Sequence, residues 1–96
     1  MKQVRFKNWL CNVEKLAYNN GRIALELTDA TDAEPILVAT VNLPDKLVPD
    51  ENHTFIKNWS ENEGILDVLI EAGIIQDTCI AVPTGFCVAN LVKVLI

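Results

Sequence analysis

The sequence predicts an α+β fold, in which one helix packs on a face of a mostly antiparallel sheet of five to seven strands. Two observations carry this prediction. Apolar and polar residues alternate through much of the first half of the chain, which is the period of half-buried strands. The segment ILDVLIEA at residues 65–72 is instead preceded by a helix-start pattern and followed by a glycine. The length of 96 residues suits a single domain, residues 1–96, with one core.

Four strands are predicted in the N-terminal half, because each segment alternates or is continuously apolar. They span residues 3–7, 9–18, 22–29 and 36–41. Asn19, Asn20 and Gly21 tolerate a positive φ and therefore favour a hairpin turn between the second and third strands. The segment DATDAEP at residues 29–35 is a polar turn. The fourth strand is almost wholly apolar, so we expect it at the centre of the sheet.

The second half alternates between loops and shorter strands. Pro44 and Pro49 lack backbone donors, so residues 43–53 are predicted as a loop. Strands are expected at residues 54–57, 78–82 and 86–95. Pro83, Thr84 and Gly85 turn the chain before the last strand, whose even-numbered residues share one face.

The helix is predicted over Glu61–Ala72. Ser60 and Glu63 form the S-x-x-E pattern of a capping box, in which each side chain accepts a hydrogen bond from the other residue's backbone N–H. Gly73 supplies a residue that can turn left-handed at the C-terminal end. The apolar residues between these ends cover a broad arc that can pack against the sheet.

Three acids spaced by four, Glu63, Asp67 and Glu71, fall together on the remaining arc of this predicted helix. Like charges at this spacing repel, and no lysine or arginine on the helix compensates them. The simpler interpretation is a solvated face. The functional interpretation is an acidic contact surface for a basic protein.

Charge is distributed unevenly along the chain. Residues 1–22 carry five bases and one acid, and residues 23–96 carry three bases and twelve acids, so the local net charges of +4 and −9 give −5 overall. Acidic proteins repel phosphates, which disfavours direct nucleic-acid binding and favours either simple solubility or a basic partner. The acids Asp29, Asp32 and Glu34 in the polar turn are the second candidate contact surface.

The residue patterns predict no catalytic residue, metal ligand or cofactor. Ser60 is the only serine and is explained as a helix cap, and His53 is the only histidine, which argues against a serine triad. Cys11, Cys79 and Cys87 have no paired spacing and are expected to be reduced thiols packed in the core. No glycine spacing typical of a phosphate loop occurs.

No apolar run approaches the roughly 18 residues that span a membrane. The segment MKQVRFKNWL alternates charged and apolar residues where a signal peptide has an unbroken apolar region. We therefore expect a cytoplasmic protein that does not bind a membrane.

The sequence contains VNLPDK at residues 41–46, FIKNWSENEGIL at 55–66, EAGII at 71–75 and VPTGF at 82–86. Together these segments resemble an uncharacterised family of short proteins carried on conjugative elements and phages of Gram-positive bacteria. The likeness begins at VRFKNWLCNVE, residues 4–14, and spans nearly the whole chain. The resemblance implies an accessory role, such as countering host CRISPR or restriction, regulating transfer or maintaining the element, and it carries over no catalytic residues.

The leading hypothesis combines this resemblance with the acidic charge. It is a non-enzymatic protein that inhibits a basic host protein, such as a nucleic-acid-binding CRISPR nuclease, through protein–protein contact. One alternative is a small enzyme or ligand-binding module that uses the cysteines or His53. The other is a structural or assembly subunit that forms an oligomer through an exposed edge strand.

Overall fold

The computed structural model describes residues 2–44 and 47–96, which form eight strands in two sheets and one α-helix. The strands are β1 (Lys2–Phe6), β2 (Trp9–Ala17), β3 (Ile23–Asp29), β4 (Pro35–Val38), β5 (Thr40–Val41), β6 (His53–Ile56), β7 (Ile75–Thr84) and β8 (Cys87–Val94). The helix α1 spans Ile65–Glu71 and follows a 3₁₀ turn at Ser60–Asn62. The α+β class and the antiparallel pairing are confirmed, but the prediction of one sheet with at most seven strands is wrong.

The two sheets have different connectivity. The first sheet is an antiparallel meander in the order β1-β2-β3-β4, and the second has the order β5-β6-β8-β7. Each strand of the meander pairs with its neighbour in sequence, which local hairpins make easy. In the second sheet, β8 instead lies between β6 and β7.

The apolar segment at residues 36–41 is not a central strand. It divides at Ala39 into β4 and β5, and each lies at an edge of its own sheet. Ala39 is fully buried, its N–H donates to the Leu25 carbonyl at 2.8 Å, and its carbonyl accepts from the Lys57 N–H at 2.8 Å. The run crosses from one sheet to the other and is buried only at Ala39 and Thr40, an arrangement that a continuous apolar pattern does not distinguish from a central strand.

The main core lies between the sheets and is closed at one side by α1. Its buried residues include Val4, Phe6, Cys11, Val13, Leu25, Leu27, Ile56, Val92 and Val94. The helix contacts β1 and β7, an edge strand of each sheet, and inserts Ile65 and Leu69, which are both fully buried. Burying a side chain of this size contributes roughly 1.5–3 kcal/mol. The predicted packing of the apolar helix face is therefore confirmed.

A second apolar cluster covers the other face of the second sheet. Its buried members are Phe55, Ala89 and Leu91, with Val41, Leu43, Val48, Trp59 and Val82 packed against them. Even-numbered residues of β8 do share a face, as the alternation of a strand requires, but Val88 on that face is 50% exposed. The strand β8 thus supplies both clusters, one from each face.

The helix begins later than its sequence pattern predicts. Gly64 has φ 96° and precedes Ile65, the first helical residue, so the predicted start at Glu61 is wrong. Ser60 itself lies in the left-handed region at φ 58°, and no side chain caps the 3₁₀ turn that it starts. Glycine adopts the left-handed conformation at little cost, so the chain turns at Gly64 before the helix begins.

Asn58 takes over the capping role that the sequence assigned to Ser60. Its Oδ1 accepts hydrogen bonds from the N–H groups of Gly64 and Leu66, at 3.1 and 3.0 Å. Asn62 fixes the preceding turn, because its side chain is fully buried and donates to the Val38 carbonyl at 2.8 Å. These contacts join distant residues, which a local S-x-x-E pattern does not reveal.

Candidate interaction surfaces

The acidic residues of the predicted helix stripe are all exposed, but they do not lie on one helix. Asp67 and Glu71 are within α1, on the side opposite its buried residues, whereas Glu63 precedes the helix. Only Asp67 and Glu71 therefore have the helical i,i+4 relation. Within residues 2–44 and 47–96, the three carboxylates make no hydrogen bond or ion pair.

The second acidic group stabilises its own turn between β3 and β4. Asp29 Oδ1 accepts from the Thr31 N–H at 2.8 Å, and Asp32 Oδ1 accepts from the Glu34 N–H at 3.0 Å. Such side-chain to backbone bonds are common in turns and give Asp29 and Asp32 a structural role. In the described part of the chain, no hydrogen bond or ion pair connects this turn with the acids of α1.

The β7–β8 hairpin presents an apolar surface that the sequence patterns did not identify. Residues 78–92 contain no charged side chain. Phe86 at the tip is fully exposed at 109%, and Ile80 is 54% exposed. Gly85 has φ 64° and is the first of two turn residues, where a type II′ hairpin requires a positive φ. The long uncharged run is the available signal in the sequence, whereas strand alternation predicts that Phe86 belongs to the last strand.

The free edge of this hairpin is poorly suited to pairing with another strand. Thr84 and Cys87 flank a two-residue turn, so their backbone N–H and C=O groups hydrogen-bond to each other. Because successive residues of a strand direct these groups to opposite edges, the nitrogen of Pro83 is directed away from β8. Proline has no N–H to donate at that edge. Thr78 and Cys79 form a bulge, and Cys79 has φ 64°. The hairpin therefore offers a partner its apolar side chains more readily than its backbone.

An open groove of about 570 Å³ lies on the first sheet's inner face, where β1 and β2 approach the residues that follow β8. It is lined by Lys2, Val13, Lys15, Leu95 and Ile96. The Lys15 ammonium donates to the backbone oxygen of Ile96, the last residue of the sequence, at 2.9 Å. The groove thus combines two lysine side chains, one of them already bonded, with an apolar floor.

The cysteines lie in different environments. Cys11 is buried between the sheets, and burial, with a smaller effect of the Asp29 charge, raises the pKa of its thiol. Cys87 is half-buried, whereas Cys79 is exposed on β7. The expectation that all three pack in the core is confirmed for Cys11 and wrong for Cys79.

His53 pairs with an acid. Its Nδ1 lies 2.7 Å from Asp50 Oδ1, and this hydrogen bond is the main reason that the Asp50 pKa is lowered. Among the residues that the structure describes, no three His, Cys, Asp or Glu side chains are grouped to hold a metal ion. The cysteines and His53 that define the enzymatic alternative do not form such a cluster.

No protein-family model matches the sequence, and no curated protein or solved structure matches it. In the described ranges, no helix is long and apolar enough to cross a lipid bilayer.

Proposed function

We propose that the chain is a non-enzymatic binding protein that acts through protein–protein contact, with the β7–β8 hairpin as its anchor. The observation that carries the proposal is the fully exposed Phe86 at the tip of an uncharged hairpin, with Ile80 and Val88 about half exposed on its strands. Exposed apolar patches mark interaction sites on soluble proteins, and aromatic side chains are enriched in interfaces. Burying this surface in a partner would gain roughly 25 cal/mol for each Å² removed from water.

The charge of the molecule supports a basic partner. The net charge is −5, and the exposed Asp67 and Glu71 make no ion pair with the described residues. An acidic surface speeds the encounter with a basic protein through electrostatic steering, while the uncharged hairpin supplies the buried contact. Glu63 and the turn acids Asp32 and Glu34 add to the same field.

The specific role that we propose is inhibition of a host defence protein of the CRISPR or restriction type. The resemblance to proteins of conjugative elements and phages supports this role, because such elements are targets of host nucleases. A nuclease that binds nucleic acid is a basic partner, and an acidic protein seated on its phosphate-binding surface competes with the nucleic acid without contacting nucleic acid itself.

The test is affinity capture from a Gram-positive host lysate at low and high salt, followed by mass spectrometry. The wild-type chain should retain a basic protein at low salt and lose much of it at high salt. Phe86→Ser should weaken binding of that protein by about tenfold or more, the effect of removing an interface anchor. Leu16→Ser is the matched control, because Leu16 is also exposed, at 47%, but lies on β2.

Both variants should melt within a few degrees of wild type, since neither residue is buried. Equal retention of the partner by the wild type and the Phe86→Ser variant would remove the hairpin from the mechanism. Retention of no salt-sensitive protein at all would count against the whole proposal.

A further inference from the structure

We propose that the turn between β2 and β3 is a site of covalent self-modification, at which the side-chain amide of Asn20 is converted to a carboxylate. Asn20 is the only asparagine of the chain that is followed by glycine. Asn20 and Gly21 are both exposed in this turn, so water reaches them. This modification is separate from the proposed binding function and does not depend on its partner.

The reaction joins the side chain of Asn20 to the backbone nitrogen of Gly21. The Gly21 nitrogen loses its proton to water and attacks Asn20 Cγ, so that a new N–Cγ bond closes a cyclic imide. The Cγ–Nδ2 bond then breaks, and Nδ2 takes up a proton from water and leaves as ammonia. Water opens the ring at Cγ to give aspartate, or at the backbone carbonyl to give isoaspartate. Water is the only co-reactant.

The hydrogen bond of Asn20 Oδ1 favours this attack. The oxygen accepts from the Arg22 N–H at 3.2 Å, a contact that folds the side chain forward along the peptide of Gly21. Negative charge develops on Oδ1 as the nitrogen adds to Cγ, and a backbone N–H that is already in place stabilises that charge. The reacting groups also belong to adjacent residues, so the attack is intramolecular.

Gly21 leaves room for the ring to close. Its φ is 85°, and apart from its chain neighbours no atom lies within 4 Å of the position that a Cβ would occupy. The Gly21 N–H donates to the Tyr18 carbonyl at 2.8 Å, and this bond must open before the nitrogen can react. Opening one exposed backbone hydrogen bond slows the reaction by at most about tenfold. The folded turn therefore permits the modification.

The products change the contacts of the turn. Asn20 Nδ2 donates to Asn42 Oδ1 at 3.3 Å, whereas a carboxylate at residue 20 has no proton to donate. Isoaspartate also lengthens the backbone by one carbon between Tyr18 and Arg22, where the Tyr18 N–H donates to the Arg22 carbonyl at 2.8 Å. Either product adds one negative charge to a chain whose net charge is −5. The modification thus loosens the β2–β3 turn and makes it more acidic.

The experiment is incubation of the whole native protein in neutral buffer at physiological temperature. Trypsin then releases residues 16–22, which lie between the cleavage sites at Lys15 and Arg22, for mass spectrometry. We expect progressive conversion at Asn20 and none at Asn19, the internal control, because the side chain of the next residue hinders the nitrogen that would attack Asn19. A sample digested before incubation is the blank.

Two rates and one variant test the proposed chemistry. Raising the pH by one unit should speed conversion about tenfold, because the reacting Gly21 nitrogen has lost its proton. The native rate should lie within about tenfold of the rate for the same chain unfolded in urea, since only one hydrogen bond opposes the reaction. Asn20→Gln keeps the amide but moves its carbon away from the nitrogen, and should slow conversion about tenfold or more.

The proposal is overturned by a native protein that stays unconverted while the chain in urea reacts, or by equal conversion at Asn19. A rate that does not change with pH, or undiminished conversion of Asn20→Gln, would overturn the assigned chemistry.

Discussion

Replacing Asn58 with alanine should destabilise the protein more than replacing Ser60, although the sequence pattern assigns the helix cap to Ser60. Asn58 Oδ1 accepts two backbone N–H groups, one from Gly64 and one from Leu66. Removing an N-terminal cap costs about 0.5–2 kcal/mol, and the half-buried Leu66 N–H would lose its partner. We therefore expect a loss of about 1–2 kcal/mol for Asn58→Ala.

A loss of this size is measurable in a domain of 96 residues. Each kcal/mol shifts the Tm by roughly 4–8 °C, so Asn58→Ala should lower it by about 4–16 °C. Ser60→Gly should have the opposite sign or no effect, because Ser60 has φ 58° and glycine tolerates that conformation better. Urea denaturation provides the free energy of unfolding for both variants. A Ser60→Ala variant that loses as much stability as Asn58→Ala would show that the capping box forms after all.

Two further predictions concern charge. Lys57 donates to Glu61 at 2.6 Å, and this bond, with smaller contributions from the Glu61 N–H and the Ser60 hydroxyl, lowers the pKa of Glu61 from 4.5 to about 2. The stabilisation should therefore be complete above pH 4.5 and disappear as the pH falls towards 2. The free energies of unfolding of wild type and Glu61→Gln, measured against pH, should converge across that window. Parallel curves would contradict this prediction. Glu71→Lys should raise the free energy of unfolding in urea by about 0.3–1 kcal/mol, since Glu71 ends the helix, while Asp67→Lys should not, because Asp67 lies in the first turn.

The strands of the first sheet follow from the sequence because their information is local. Alternation places β2 and β3 within about two residues of their observed ends, and Gly21 at φ 85° closes their hairpin as predicted. The run at residues 36–41 differs, because apolar residues are required both at a sheet centre and in a crossing between sheets. Only the backbone bonds of Ala39 decide between these two arrangements.

The start of α1 depends on a contact between distant residues. Asn62 is placed by the Val38 carbonyl, 24 residues earlier, and this contact sets the turn that delays α1. Exposure of Asp67 and Glu71 did follow from helical periodicity, because both are far from the buried stripe. Exposure of Phe86 did not, because an apolar residue next to a strand is normally assigned to that strand.

The position of β8 determines how the molecule completes its fold. The first sheet pairs neighbouring segments, whereas β6 and β8 pair residues as distant as His53 and Lys93. Without β8, the cluster around Phe55 lacks Ala89 and Leu91, and the cluster around Ile56 lacks Val92 and Val94. A single long-range pairing therefore completes both apolar clusters. Their burial is coupled, so equilibrium unfolding should proceed as one cooperative transition. The rate of folding should be limited by the pairing of β6 with β8.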